Sequence, residues 1–282
     1  FATHLQTSVL QPFYDIVFKS MLRPRIIPCL LIQQGGLVKT QCFKESKYVG
    51  DPINAVKIFN EKEADELILL DIDATVNGRE PDFGLIAKLA AECRMPLCYG
   101  GGVTSAAQAA RIIDMGVEKV AVSAAAIASP GLLTEMAVAV GRQSVVAVLD
   151  VRKKSGLFAK GFEVCTHNAK QAHKLDPVAL AQQLQDAGAG EIVINSIDRD
   201  GLMQGYDLDL AAQFRDALNV PVTFLGGAGS LDDIGQLVSR VGVVGAAVGS
   251  LFVFKGKYRA VLINYPTPVQ KIQLCRDALA KA

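Results

Sequence analysis

The sequence predicts an α/β chain folded as a closed (β/α)8 TIM barrel built from two duplicated half-barrels. Three observations predict it. From residue 25 onward, eight short apolar runs alternate with eight amphipathic stretches. Landmark residues recur 125 positions apart: Glu66 and Glu191, Asp71 and Ser196, Asp73 and Asp198, Pro96 and Pro221, Gly101-Gly102 and Gly226-Gly227, Ser105 and Ser230. The G-x-G-x-x-G turn expected after the first strand of an open dinucleotide-binding sheet is absent.

The strand candidates are residues 26–31, 66–71, 96–99, 119–122, 144–150, 191–195, 221–225 and 243–247. Runs this short, bounded by turn residues and rich in Val, Ile and Leu, suit parallel strands buried on both faces. Residues 52–62, 83–93, 106–115, 131–140, 176–187, 208–218 and 231–239 carry apolar residues at helical spacing, and 266–282 supplies the last helix. The first strand of each half also aligns, at an offset of 119, which sets Leu31 against Asp150. Residues 1–20 read as an N-terminal extension before Met21, leaving 21–282 as a single barrel domain.

Composition narrows the function classes. Half of the 282 residues are hydrophobic, enough for one large core. A net charge of +1 gives no electrostatic pull toward nucleic acid or a membrane surface, and no apolar stretch spans a bilayer. Six scattered cysteines without a C-x-x-C pair read as reduced thiols of a cytoplasmic protein. Three histidines make a His-rich metal site improbable, and Cys165-x-His167 falls in a polar, loop-like stretch. The expected metal and cofactor sets are therefore both none.

Chemistry in such a barrel sits at the C-terminal ends of the strands. Gly226 and Gly227 after the seventh strand, with Gly249 and Ser250 after the eighth, form a predicted phosphate cradle. The repeat predicts a second, weaker cradle from Gly101, Gly102 and the turn at 122–125, where Ser123 offers one hydroxyl. A phosphorylated small molecule is the expected ligand. Among the acids Asp71, Asp73, Asp150, Asp198 and Asp200, Asp150 ends a buried strand and is the best proton-transfer candidate. Its repeat partner, Leu31, cannot move a proton. Loop acids such as Asp73 and Asp200 also read as turn formers.

The segments RIIPCLLIQQGGLVK, ADELILLDIDAT, YGGGV, GAGEIVINSIDRDG-x-x-x-GYD and GGAGS closely resemble the cyclase subunit of imidazole glycerol phosphate synthase, from about residue 25 to 254. That resemblance implies a duplicated barrel, a lyase of histidine biosynthesis, which takes ammonia from a separate glutaminase and cyclises a bisphosphorylated ribotide. It assigns Asp150 as general base, Gly226, Gly227 and Ser250 as phosphate ligands and Lys39 as the lysine after the first strand. Asp71, Ser196, Asp198 and Asp200 stand beside Lys39 as substrate-site candidates. Three departures put the chain's own cyclase activity in question. The second catalytic aspartate falls on Leu31, the D-G-R loop reads Gln34-Gly35-Gly36, and the Asn-Thr phosphate turn reads Ser123-Ala124.

The opposite end of the barrel keeps the family's residues. A ring that gates an ammonia channel matches Arg25, Glu66, Lys119 and Glu191, expected at the starts of four alternate strands, and the acid that contacts the glutaminase matches Glu118. Without the resemblance, the same four charges read as a stabilising salt-bridge ring. The pattern resembles most the acetamidino-modification paralogues of bacterial surface-polysaccharide (lipopolysaccharide O-antigen) synthesis, as does the ending LFVFKGKYRAVLINYP. These look like accessory subunits that pair with a glutaminase and feed an amidotransferase acting on an N-acetylated nucleotide sugar. The alternatives are a working histidine-pathway cyclase and a non-catalytic scaffold of a glutaminase complex.

Overall fold

The computed structural model describes residues 23–156 and 160–281; the extension expected at 1–20 lies outside the described residues. Eight parallel strands form the barrel: β1 (Arg25–Gln33), β2 (Leu67–Asp71), β3 (Leu97–Gly100), β4 (Lys119–Val122), β5 (Val145–Lys153), β6 (Glu191–Ser196), β7 (Val222–Leu225) and β8 (Gly245–Val248). Each pairs with its sequence neighbours, and β1 pairs with β8, so the sheet closes without an edge.

The helices α1 (Pro52–Glu61), α2 (Phe83–Glu92), α3 (Ala106–Asp114), α4 (Gly131–Val140), α5 (Pro177–Ala187), α6 (Leu208–Ala217), α7 (Leu231–Val241) and α8 (Pro268–Leu279) alternate with the strands. Their starts are set by sequence. Asp51, Asp82, Ser105, Asp176, Asp207, Ser230 and Thr267 each accept a backbone N–H from the first turn. Ser230 and Thr267 complete capping boxes with Asp233 and Gln270.

Residues pointing outward from the sheet, such as Ile26, Leu67, Tyr99 and Ile192, join the helices in the main core. The inward set is separate: Ile27, Cys29, Ile68, Cys98, Ala121, Val146, Val148, Val193, Leu225 and Ala247 fill the barrel. This division follows the alternation of side chains across a strand. All six cysteines are free thiols.

Two features differ from the sequence reading. β1 and β5 extend past the barrel rim and fold back as antiparallel hairpins, through Gly36–Lys39 and Lys47–Gly50 after β1, and Phe162–Thr166 and Gln171–His173 after β5. Cys165 therefore lies in a strand, and His167 opens a turn whose three residues His167, Asn168 and Ala169 have φ of 55°, 55° and 61°. These hairpins are short and polar at the rim, so they lack the apolar run that marks a barrel strand.

Candidate ligand cavity and charged ring

An open cavity of about 440 Å³ occupies the C-terminal mouth. Its floor is the upper barrel interior, Cys29, Leu70, Ala121, Val148, Leu225 and Ala247. Its rim carries the glycine turns: Gly101 and Gly102 on one side, Gly226, Gly227, Gly249 and Ser250 on the other. Lys39, Asp71, Asp150 and Asp200 also line it.

The turn at Gly226-Gly227 is fixed by sequence. Gly227 has φ +110°, and a β-carbon there would stand 2.1 Å from the carbonyl oxygen of Gly205. Gly205 in turn donates its N–H to Gly227 O at 2.9 Å. The neighbouring Tyr206 donates its hydroxyl to Ala247 O at 2.9 Å, and Asp207 caps α6. The Gly205-Tyr206-Asp207 motif is thus the brace behind the β7–β8 cradle.

Asp150 sits at the cavity floor and accepts a hydrogen bond from Asn195 Nδ2 at 2.9 Å. Burial pushes its carboxyl up to about 7; the Asn195 bond opposes the rise and the Asp200 charge adds to it. Such a group can exchange a proton near neutral pH. Its repeat counterpart is apolar twice over. Asp150 pairs in register with Asn195, and the equivalent pair across the barrel is Leu31 with Leu70.

Lys39 is buried and donates from Nζ to Cys29 O at 2.5 Å. Burial lowers its pKa, and the Asp200 charge opposes that fall. Asp200 accepts from Thr40 Oγ1 at 2.8 Å and binds the first hairpin to the loop after β6. Burial raises its pKa, while Thr40, Lys39 and the Phe43 N–H lower it.

Two candidates from the sequence do not reach the cavity. Ser196 turns to the outer side of β6 beside Tyr206 and Phe224. Asp198 accepts the backbone N–H of Lys153 at 2.7 Å, as its repeat partner Asp73 accepts that of Gln34 at 3.1 Å. Lys153 and Gln34 are themselves 119 positions apart. Both acids therefore tie the end of a half-barrel's first strand to the following loop system. Asp71 lines the cavity, but its Oδ1 accepts the N–H groups of Asp73 and Ala74, each at 3.0 Å. Burial raises its pKa against those bonds and the Arg79 charge. Sequence reasoning passed over Asn195, His167 and Asn168, all of which line the cavity. The repeat offset from Leu70 to Asn195 was the available signal for the first.

At the N-terminal end the barrel interior closes with Arg25, Glu66, Lys119 and Glu191. Arg25 bonds Glu66 through Nη1 and Glu191 Oε1 through Nη2 at 2.7 Å. Lys119 Nζ bonds Glu66 Oε1 and Glu191 Oε2, each at 2.8 Å. Thr223 adds a hydroxyl bond to Glu191 Oε1 at 2.5 Å. The ring is drawn from β1, β4 and β6 and from Glu66 just before β2, not from alternate strands, because the long Arg25 and Lys119 side chains reach across the interior. Both glutamates are less than 5% exposed. Burial alone would raise the Glu191 carboxyl, but Arg25 and Lys119 hold it below its usual range. Burial would likewise lower both cations, and the two glutamates hold them raised. Glu118 is exposed next to the ring and accepts Leu97 N–H at 2.6 Å.

The layer between ring and cavity is thin and apolar: Ile27, Ile68, Cys98, Val146 and Val193. Among the described residues, no group of three or more His, Cys, Asp or Glu side chains could hold a metal, and no helix is long and apolar enough to cross a membrane.

Comparison with known proteins matches the histidine biosynthesis protein family over residues 25–259. A Vibrio vulnificus (strain YJ016) protein provisionally named imidazole glycerol phosphate synthase subunit hisF3 is 57% identical over 251 residues, 89% of this chain and 96% of the relative. A Leptospira interrogans protein with a similar provisional name is 53% identical over 251 residues, covering 89% and 98%. Imidazole glycerol phosphate synthase subunit HisF of Hyphomonas neptunium (strain ATCC 15444) is 36% identical over 256 residues, covering 89% and 100%. With a closed (β/α)8 barrel and these relatives along almost their whole length, the chain belongs to the histidine biosynthesis protein family, among the imidazole glycerol phosphate synthase cyclase subunits.

Proposed function

We propose that this chain is the barrel subunit of a glutamine-dependent amidotransferase pair. It receives ammonia from a glutaminase docked at the N-terminal face, beside Glu118, and passes it through the barrel to the C-terminal mouth. The observation that carries the reading is the closed ring of Arg25, Glu66, Lys119 and Glu191, separated from the cavity by one apolar layer. Two buried glutamates and two half-buried cations in one layer are a costly way to fill a barrel end; similar-volume apolar residues are often as stable or more so. A gate that opens on partner binding gives those charges a use.

The ammonia serves amidination of an N-acetylated nucleotide sugar by a separate amidotransferase. Three departures at the mouth support this over ribotide cyclisation: Leu31 opposite Asp150, Gln34-Gly35-Gly36, and Ser123-Ala124 in the second cradle. The cyclase reading is favoured by one specific observation, the raised pKa of Asp150 beside Asn195. The two separate cleanly. Purified chain with ribotide and free ammonium is expected to turn over at least about 10²-fold more slowly than a cyclase, because one positioned proton-transfer group is missing. Turnover in the ordinary enzymatic range of about 1–10³ s⁻¹ overturns the amidination reading.

A further inference from the structure

The repeat allows the two halves of the cavity to be compared position by position. Leu31 pairs with Val38 on the first hairpin, and its equivalent Asp150 pairs with Cys165 on the second. One residue further along, Lys39 is therefore equivalent to Thr166, and Thr40 to His167. The first hairpin covers the β7–β8 half. Its Thr40 hydroxyl and Cys42 N–H bond Asp200 in the loop after β6, at 2.8 and 3.0 Å. The second hairpin covers the β3–β4 half. Its Asn168 Nδ2 donates to Ile72 O in the loop after β2, at 2.9 Å.

The two covers carry opposite chemistry. Under the first, Lys39 Nζ stands over the glycine turns, and a β-carbon on Gly249 would lie 2.7 Å from it. A buried ammonium close against a glycine turn suits a phosphate. Under the second, the equivalent Thr166 is 2% exposed. Its hydroxyl is bracketed by His167 Nδ1 at 3.0 Å and His173 Nε2 at 2.9 Å. Lys39 and Lys44 are the cavity's Lys or Arg side chains among the described residues, and both belong to the first hairpin. The second half presents hydroxyl and amide groups instead, Thr75, Thr104, Ser123 and Asn168, beside the Asp71 carboxylate, whose Oδ1 is taken up by the N–H groups of Asp73 and Ala74.

Among the described residues, two buried polar atoms of the cavity have no partner. They are Ser123 Oγ in the β3–β4 half and Asn195 Oδ1 at the floor, on a residue only 5% exposed. Buried polar atoms are normally paired, so these mark positions where a ligand donates hydrogen bonds.

We propose that the cavity binds a ligand with one phosphate, seated in the β7–β8 half, and an uncharged hydroxyl- or amide-bearing end, seated in the β3–β4 half beneath His167 and Asn168. A sugar monophosphate has this form. The inference rests on the mouth being a ligand site, as the glycine turns lining the cavity indicate, and not on the ammonia reading. It is tested on the chain alone, without glutaminase, so its failure leaves the ammonia reading standing, and the reverse holds too.

Calorimetric titration with inorganic phosphate, ribose 5-phosphate and ribose 1,5-bisphosphate tests it. The chain is expected to take up one phosphate. Lys39→Met is expected to weaken phosphate at least about tenfold. Ser250→Val, in the same half, gives the same loss and serves if Lys39→Met does not fold. Ribose 5-phosphate should bind at least about tenfold tighter than phosphate. The paired change His167→Ala and Asn168→Ala should erase that gain while leaving phosphate affinity within about twofold. The bisphosphate should bind no tighter than the monophosphate. Two phosphates per chain, a bisphosphate preference of about tenfold or more, or phosphate binding indifferent to both Lys39→Met and Ser250→Val would overturn the proposal.

Discussion

At the scale of single residues, Asp150 makes the sharpest claim. Its carboxyl is pushed up to about 7 by burial, well above the ordinary aspartate range near 4. Between those values the folded chain binds the extra proton, so stability falls as pH rises through the window. Asp150→Asn removes this penalty. At pH 8 the variant is expected to be more stable than the native chain, by on the order of a few kcal/mol, and to melt higher. The gain should shrink by pH 4.5. Equal melting differences at both pH values would contradict the buried setting. Gly245 makes a second claim. It pairs in register with Arg25, and a β-carbon there would lie 1.9 Å from Thr223 Oγ1, the hydroxyl that donates to Glu191. Gly245→Ala is expected to displace Thr223 and cost about 1–3 kcal/mol in denaturant unfolding. Asp150 and the four ring residues were legible in the sequence because strand ends and the resemblance pointed at them. Asn195 was not, because an Asn inside an apolar run reads as an ordinary core exception until its register partner is known. Asp198 was left open between substrate and loop for a related reason: nothing in a loop acid's sequence says whether it faces a ligand or, as here, accepts the N–H of Lys153.

At the scale of elements, the strands and helices followed from apolar period and caps, and the boundaries hold to within a few residues. The two rim hairpins escaped because their buried apolar residues come mainly as isolated pairs, Leu37-Val38 and Val164-Cys165, too few to carry a periodic signal. They decide what covers the cavity. The β7 turn and α7 form one unit in which Asp233 Oδ2 accepts the N–H groups of Gly229 and Ser230 at 2.8 and 2.9 Å. Asp233→Ala is expected to cost about 0.5–2 kcal/mol of stability. It should also weaken phosphate binding by loosening the Gly226–Ser230 turn, measurable by titration. Unchanged phosphate affinity would separate the turn from the cap.

At the scale of the whole molecule, the duplicated halves have diverged at both ends. The mouth keeps one acid–amide pair, Asp150 with Asn195, where the other half has Leu31 with Leu70. The base keeps its full charge set. Glu191→Gln leaves Arg25 and Lys119 competing for Glu66, and is expected to destabilise by about 3–5 kcal/mol at pH 7. Because Glu191 is held below its usual pKa, the native ring's contribution is present above about pH 4.5 and is lost as pH falls through the folded value. The deficit of the variant should therefore narrow in acid. Adding Lys119→Met restores charge balance and recovers part of the stability, which gives a folded barrel without a complete charged ring.

That paired variant allows the most direct test of ammonia passage. Amide-15N glutamine is supplied to this chain, a partner glutaminase and the proposed sugar amidotransferase, in a large excess of unlabelled ammonium. With the native ring, the acetamidino product is expected to carry mostly 15N, because ammonia moves through the barrel without mixing with solvent. With Glu191→Gln and Lys119→Met together, the label should fall toward that of the bulk ammonium. A product from the native chain already diluted to the bulk value would contradict passage through the barrel.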